Sequence, residues 1–162
     1  MEAMATRSKR PLAIWPRDCL ESYLVVPAAI QRILVEELGP KDAPPVTEIE
    51  QIISKVLSDQ YESTQDRIAA RYQEFEWKLN QQRVDAAKAN PIARQEMEKT
   101  WKAARNPLAL ASGKVVLGRV REEIQKRWKV SFGNARIVEA MHPEDVHQDV
   151  KDLLQRALKE LS

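Results

Sequence analysis

The clearest pattern in the chain is a run of apolar residues spaced three and four positions apart. It comprises Ile49, Ile52, Ile53, Val56, Leu57, Tyr61, Ile68, Tyr72, Phe75 and Leu79. This spacing is typical of one face of an amphipathic helix. Thr47 and Glu50 fit a capping box at its start, and no glycine occurs between residues 40 and 112. The pattern therefore predicts one long helix over most of residues 47–88, ended by Asn90-Pro91.

A second helix is expected from Pro91 to about Arg105, where Asn106-Pro107 stops it. Because the connection between the two helices is short, they are expected to form an antiparallel hairpin. We expect four large side chains to be buried between the hairpin helices, namely Ile52, Ile68, Phe75 and Trp101.

The first 45 residues contain six of the nine prolines, which divide this part of the chain into short segments. Leu12 to Trp15 is the only good strand candidate, and Asp18 can cap a short helix that runs through Leu24. Pro27 suits the first turn of a helix that ends near Leu38, with Gly39 at its C-terminus. Residues 40–45 are then a linker.

Residues typical of helix starts occur again after residue 111. Ser112 is placed to cap a helix, and Gly133-Asn134 opens another that runs through Met141. Pro143 and the acidic pair that follows it start a final helix. The fold class predicted is mainly α: a long helical hairpin plus a small C-terminal helical bundle, with at most one or two short strands near the N-terminus.

Composition narrows the class of protein. The chain has 162 residues, 43% hydrophobic and 31% charged, which excludes a wholly disordered tail. No apolar run approaches the roughly 20 residues that span a bilayer, so no membrane association is expected. The N-terminus does not fit a secretory signal, and the single cysteine, Cys19, excludes an internal disulfide framework and is expected to be buried. A reducing cytoplasm is the expected compartment.

The net charge of +2 comes from residues 106–162, which carry ten basic and eight acidic side chains. Within them, Ala111-Ser112-Gly113-Lys114 has features of a phosphate site, because helix N-termini and lysines attract anions. The segment lacks the glycine and the serine or threonine of a Walker A loop, so nucleotide binding is not expected. Contact between Lys114 and a DNA phosphate remains open.

The run Ile14 to Leu24 is the second candidate for chemistry. An arginine, Arg17, follows the predicted strand, and Glu21 stands four residues later, so the two are expected to share a helix face. One interpretation is an ordinary surface ion pair. The other is a carboxylate placed past the carboxyl end of a strand, where α/β sheets usually hold their sites.

This run resembles the segment R-x-x-[IL]-E-N-Y-L of the ATP-dependent endonucleases of the OLD family (overcoming lysogenization defect). Arg17, Leu20, Glu21, Tyr23 and Leu24 match, and Ser22 replaces the asparagine. The C-terminal part is similar to the same family in the same order. It has Gly113-Lys114-Val115-Val116-Leu117, then Val130-Ser131-Phe132, Ala135 to Met141, and Pro143-Glu144-Asp145-Val146.

The resemblance implies part of a Toprim nuclease, a class associated with phage defence. It divides the chain into a disordered arm over residues 1–10, a Toprim remnant over 11–45, a hairpin insertion over 46–105, and a C-terminal helical part with the Gly113-Lys114 helix over 106–162. Glu21 would be one metal ligand, and Lys114 would stabilise charge on the scissile phosphate. Arg17, Lys114, Arg119 and Arg121 would contact DNA.

The family's ATPase, its first Toprim glutamate and its Asp-x-Asp strand are not found in this sequence. A C-terminal fragment, a truncated product or half of a split protein is therefore expected, inactive alone. Mg²⁺ or Mn²⁺ would bind only if the missing strands completed the site. The implied partners are DNA and an ATPase/Toprim N-terminal part, and a homodimer is left open. The alternatives are a non-enzymatic helical protein-interaction module and a small DNA-binding regulator.

Overall fold

The computed structural model describes residues 17–160, with side chains to residue 159. This range contains helices and no strand, so the predicted mainly α class is confirmed. The strand predicted at Leu12 to Trp15 and the arm predicted over residues 1–10 lie outside the described residues.

Seven α-helices make up most of the described chain. They are α1 (Pro27–Leu38), α2 (Val46–Asp59), α3 (Tyr61–Asn80), α4 (Ala86–Glu96), α5 (Gly113–Trp128), α6 (Asn134–Ala140) and α7 (Gln148–Glu160). A π-helical segment, Met97–Ala103, continues α4. Short 3₁₀ turns occur at Leu20–Tyr23, Pro107–Ala109 and Pro143–Asp145. None of the helices in this range is both long and apolar enough to cross a membrane.

The main core lies where α1, α2, α5 and α6 meet. Its fully or nearly fully buried residues include Ile30, Ile33, Leu34, Ile49, Ile52, Val116, Leu117, Val120, Ile124 and Ile137. Burying each such aliphatic side chain contributes about 1.5–3 kcal/mol. The core therefore holds the N-terminal third and the C-terminal part of the chain as one packed unit.

The single helix predicted over residues 47–88 is wrong. The regular helix is interrupted at Gln60, which has φ −92° and ψ −3° and is 8% exposed. Before this break, α2 packs in the main core. After it, α3 packs on α4. The break at Gln60 lets each helix turn its apolar face to its own partner, which one straight helix cannot do.

The helix ends in this region also differ from the prediction. No capping hydrogen bond from Thr47 forms, because α2 begins at Val46, directly after Pro45. The chain leaves α3 through Gln81, which adopts the left-handed conformation with φ 54°. Pro91 does not break a helix but lies inside α4, which begins five residues earlier because the Asp85 carboxylate caps it through the Lys88 amide, 3.0 Å away.

The hairpin is formed by α3 and α4, and its contact is smaller than predicted. Ala69, Ala89 and Ala93 are buried at its centre, with Ile68 partly buried against them. Phe75 is 44% exposed, so its predicted burial is wrong, and the residues that the hairpin contact buries are three small alanines instead. Ile52 is buried as predicted, but in the main core, and Trp101 packs edge-on against Tyr61 with ring centres 5.5 Å apart.

The predicted ends of the other helices are closer to the structure. Pro27 opens α1, Gly39 follows it with φ 87°, and Gly133 directly precedes α6. Ser112 stands at the start of α5 but its side chain makes no capping hydrogen bond. The last helix begins at Gln148 instead of Pro143, because residues 143–145 form a separate 3₁₀ turn.

Candidate functional site

The turn Leu20–Tyr23 rests directly on the first residue of α5. A Cβ atom placed on Gly113 would lie 2.2 Å from the Ser22 nitrogen and 2.3 Å from the Ser22 Oγ. Both residues are buried. This contact holds the turn that carries Glu21 beside the helix start that carries Lys114, two segments that are far apart in sequence.

Arg17 holds the turn from the other side. Its Nη1 donates a hydrogen bond of 2.5 Å to the Ser22 carbonyl, and its guanidinium lies 4.8 Å from the centre of the Tyr23 ring. Burial lowers the pKa of Arg17 from its ordinary value. Since residues 17–19 form a bend, Arg17 and Glu21 do not share a helix face as the sequence suggested.

Asp18 anchors the turn to the hairpin. Its Oδ1 accepts hydrogen bonds from Nη1 of Arg67 at 2.8 Å and from Nη1 of Arg71 at 2.7 Å, and its side chain is 7% exposed. Arg67 also donates to the Leu110 carbonyl. The predicted role of Asp18 as a helix cap is therefore wrong, because two cations four residues apart on α3 engage its carboxylate.

Tyr23 links the same turn to α7. Its hydroxyl donates a 3.0 Å hydrogen bond to Oδ2 of Asp149, and its ring meets the His147 ring edge-on at 5.5 Å. The side chain is buried, and this burial, with the hydrogen bond to Asp149, raises the pKa of Tyr23 to about 12. The turn is thus fixed to three separate helices through Asp18, Ser22 and Tyr23.

The predicted DNA-contacting residues of α5 are not all on one surface. Lys114 and Arg119 are exposed. Arg121 is partly buried, where its Nη2 donates to Oδ1 of Asn134 at 2.6 Å and its guanidinium lies 5.6 Å from the Phe132 ring. Burial lowers the pKa of Arg121. Its side chain therefore joins α5 to α6, while Lys114 and Arg119 face solvent.

The solvent-facing side of α5 carries basic residues in addition to the expected DNA contacts Lys114 and Arg119. Arg119, Glu122, Lys126 and Lys129 follow one another three and four residues apart, and all four are exposed. Together with Lys114 they form a surface with four cations and one anion, which we call the α5 basic face. Residues three and four apart lie on the same side of a helix, so Arg119, Glu122, Lys126 and Lys129 share one side, and Lys114 stands five residues before Arg119, in the first turn of the helix.

The described residues alone do not form the metal site that the resemblance implies. Among residues 17–160 no three histidine, cysteine, aspartate or glutamate side chains come together in a group that could hold a metal ion. Asp18 is the carboxylate nearest in sequence to Glu21, the expected metal ligand, and it is bound by two arginines. Cys19, predicted to be buried, is only partly buried, with its Sγ 3.6 Å from the Ser22 Oγ.

Comparison of the chain with protein-family models, with curated proteins and with solved structures finds no match.

Proposed function

We propose that this chain is the C-terminal part of an OLD-like Toprim endonuclease, acting in the cytoplasm and inactive alone. In this proposal it contributes Glu21, Lys114 and a DNA-facing surface to a cleavage site that another fragment or chain completes. The main support is the contact between Ser22 and Gly113. The two motifs that carry the resemblance lie on either side of this contact, as parts of one site should.

The α5 basic face supports the DNA-facing part of the proposal. Lys114 stands in the first turn of a 16-residue helix, where free backbone N–H groups and the helix dipole favour anions. Its neighbours on the face are cationic except for Glu122. Cations arranged along one side of a helix can follow the spacing of phosphates, and such contacts dominate affinity for DNA.

The hydrolytic step needs more carboxylates than the described residues bring together. Two-metal hydrolysis uses several carboxylates to hold the ions and orient the attacking water. The described residues provide no such group. The partner would therefore have to provide the missing glutamate and the Asp-x-Asp strand, and the role of this chain is to bind and orient the phosphate backbone.

The experiment measures binding of the whole chain to a double-stranded oligonucleotide over a range of salt concentrations. Lys114→Ala, Arg119→Ala and Lys126→Ala should each weaken binding and reduce the slope of log affinity against log salt by about 0.9, the value of one lost phosphate contact. Lys102→Ala is the matched control, because Lys102 is exposed but lies outside α5 and pairs with Glu98. Equal slopes in all four variants would contradict the proposal.

A helical protein-interaction module is the second candidate. The observation that favours it is the apolar face of α3. Two large apolar side chains on this helix, Phe75 and Leu79, are 44% and 57% exposed. Large exposed apolar patches often mark protein-binding surfaces. Lack of salt-dependent DNA binding by the wild-type chain would favour this candidate over the first.

A further inference from the structure

The contact between α7 and the turn Leu20–Tyr23 is mainly polar. None of the described side chains of α7, residues 148–159, is fully buried, and an open apolar groove of about 510 Å³ lies between the helix and the turn. The Tyr23 hydroxyl donates to Oδ2 of Asp149 at 3.0 Å, and the Tyr23 ring meets the His147 ring edge-on at 5.5 Å. The docking of α7 on the turn therefore depends on the groups around Asp149.

His147 directly precedes α7 and caps it. Its carbonyl oxygen accepts the amides of Val150 at 3.0 Å and Lys151 at 3.2 Å. Its Nδ1 lies 3.2 Å from the backbone nitrogen of Asp149 and also 3.2 Å from Oδ2 of the same residue. Nδ1 can accept the amide proton only when it carries no proton, and it can donate to the carboxylate only when it carries one. The two contacts therefore belong to two charge states of the ring.

The charged state of the ring is the less favourable one for this contact. When Nδ1 is protonated, the Asp149 amide loses its acceptor, and a positive charge stands at the N-terminus of α7, where the helix dipole disfavours it. Oδ2 of Asp149 must then accept from His147 as well as from Tyr23. The ion pair gained in return is weak, because the side chains of His147 and Asp149 are 38% and 27% exposed.

The surroundings of His147 contain other groups that carry or exchange charge. They are Arg17 and Tyr23 of the turn region, Asp149 and Lys151 of α7, and His142 and Glu144 of the segment before α7. Arginine, lysine and carboxylate side chains ordinarily keep their charge between about pH 7.5 and about pH 5.5, and tyrosine stays neutral. Histidine is the side chain that ordinarily titrates there. A change in this range therefore involves His147 or His142.

We propose that His147 is a pH-sensitive switch between α7 and the turn Leu20–Tyr23. Uncharged, it caps α7 and leaves the Asp149 carboxylate to Tyr23. Protonated, it draws this carboxylate away from Tyr23 and weakens the hold of the turn on α7. Because the docked state favours the neutral ring, docking is strongest above the ordinary titration range of histidine and is lost as the pH falls through it. The proposal does not depend on the proposed function, since it concerns only how two elements of the chain are held together.

Amide hydrogen exchange of the full-length chain at about pH 7.5 and about pH 5.5 tests this, with each rate corrected for the intrinsic exchange of an unfolded chain. In the wild type, protection of α7 should fall about tenfold at the lower pH, as expected for a lost helix cap. Protection of α5, which lies in the main core, should stay unchanged.

His147→Asn keeps an acceptor at the cap but cannot be protonated, so its α7 protection should be the same at both pH values. His142→Asn is the matched control, because the His142 side chain is 54% exposed and pairs with Glu144. This control should keep the fall seen in the wild type.

Unchanged or increased protection of α7 at the lower pH in the wild type would overturn the proposal. An equal fall in His147→Asn would also overturn it, and absence of the fall in His142→Asn would assign the effect to the other histidine. A loss of protection in α5 as large as that in α7 would show that the whole fold is destabilised, which contradicts a local switch.

Discussion

Gly113 and Ser22 approach each other so closely that a methyl group at position 113 would stand 2.2 Å from the Ser22 backbone nitrogen. Ser22 itself is completely buried. Position 113 therefore cannot accept a residue larger than glycine unless the start of α5 and the turn Leu20–Tyr23 shift apart. This contact determines the relative position of Glu21 and Lys114.

The first prediction concerns Gly113→Ala. The added methyl group meets backbone atoms that cannot rotate away, so the free energy of unfolding should fall by about 1–3 kcal/mol. Denaturant unfolding followed by circular dichroism measures it.

Gly118→Ala is its control in the same helix. Nothing lies within 4 Å of a Cβ at Gly118. Because alanine is the better helix former, this variant should gain about 0.5–1 kcal/mol. If both variants behave alike, Ser22 and Gly113 are not in contact.

The second prediction concerns Asp18, whose carboxylate joins the turn to the hairpin. Asp18→Asn should lower the free energy of unfolding by about 1.5–3 kcal/mol, because the charge-assisted hydrogen bonds from Arg67 and Arg71 to a nearly buried carboxylate are weakened. Arg71→Ala should cost less than about 1 kcal/mol, since Arg71 is 61% exposed and Arg67 still pairs with Asp18. A small effect of Asp18→Asn on thermal and denaturant unfolding would show that the pair is solvated.

The third prediction distinguishes the observed hairpin from the one expected from sequence. Met97 is completely buried, and Phe75 is 44% exposed. Met97→Ala should therefore cost about 2–5 kcal/mol, and Phe75→Ala clearly less than the 3–5 kcal/mol of a buried phenylalanine. The reverse order of denaturant midpoints would indicate that α3 turns its phenylalanine face inward.

The fourth prediction concerns alkaline pH. Burial and the hydrogen bond to Asp149 raise the pKa of Tyr23 from 10.0 to about 12. The folded state therefore favours the protonated phenol, and this stabilisation is present below pH 10 and is lost as the pH rises through about 12. Unfolding curves across this range should show a steeper loss of stability in the wild type than in Tyr23→Phe. Parallel curves for the two proteins would contradict the assignment.

The sequence predicted those helices whose ends are set by local chemistry. Proline at the start of α1, glycine after it and glycine before α6 act on neighbouring backbone, so residues close in sequence suffice to place them. The break at Gln60 could not be read in this way, because the three-four spacing of apolar residues runs through it. The break follows from the partners of α2 and α3, which are tertiary.

The candidate site shows the same division. The sequence identified the segments around Glu21 and Lys114, but it gave no signal that Ser22 would lie against Gly113. The sequence predicts a local helix cap at Asp18, but the arginines that bind its carboxylate lie 49 and 53 residues away. Arg121 is expected beside Lys114 as a DNA contact, and only the structure shows that it faces Asn134 and Phe132.

The most direct test of the central claim is nicking of supercoiled DNA by this chain mixed with a separate fragment that carries the missing glutamate and Asp-x-Asp strands. In Mg²⁺ or Mn²⁺, neither protein alone should nick and the mixture should. Glu21→Ala and Lys114→Ala should each lower the rate by about 10² or more, while Lys102→Ala should leave it unchanged. Nicking by this chain alone that survives both Glu21→Ala and Lys114→Ala would contradict the claim, and so would a mixture without activity.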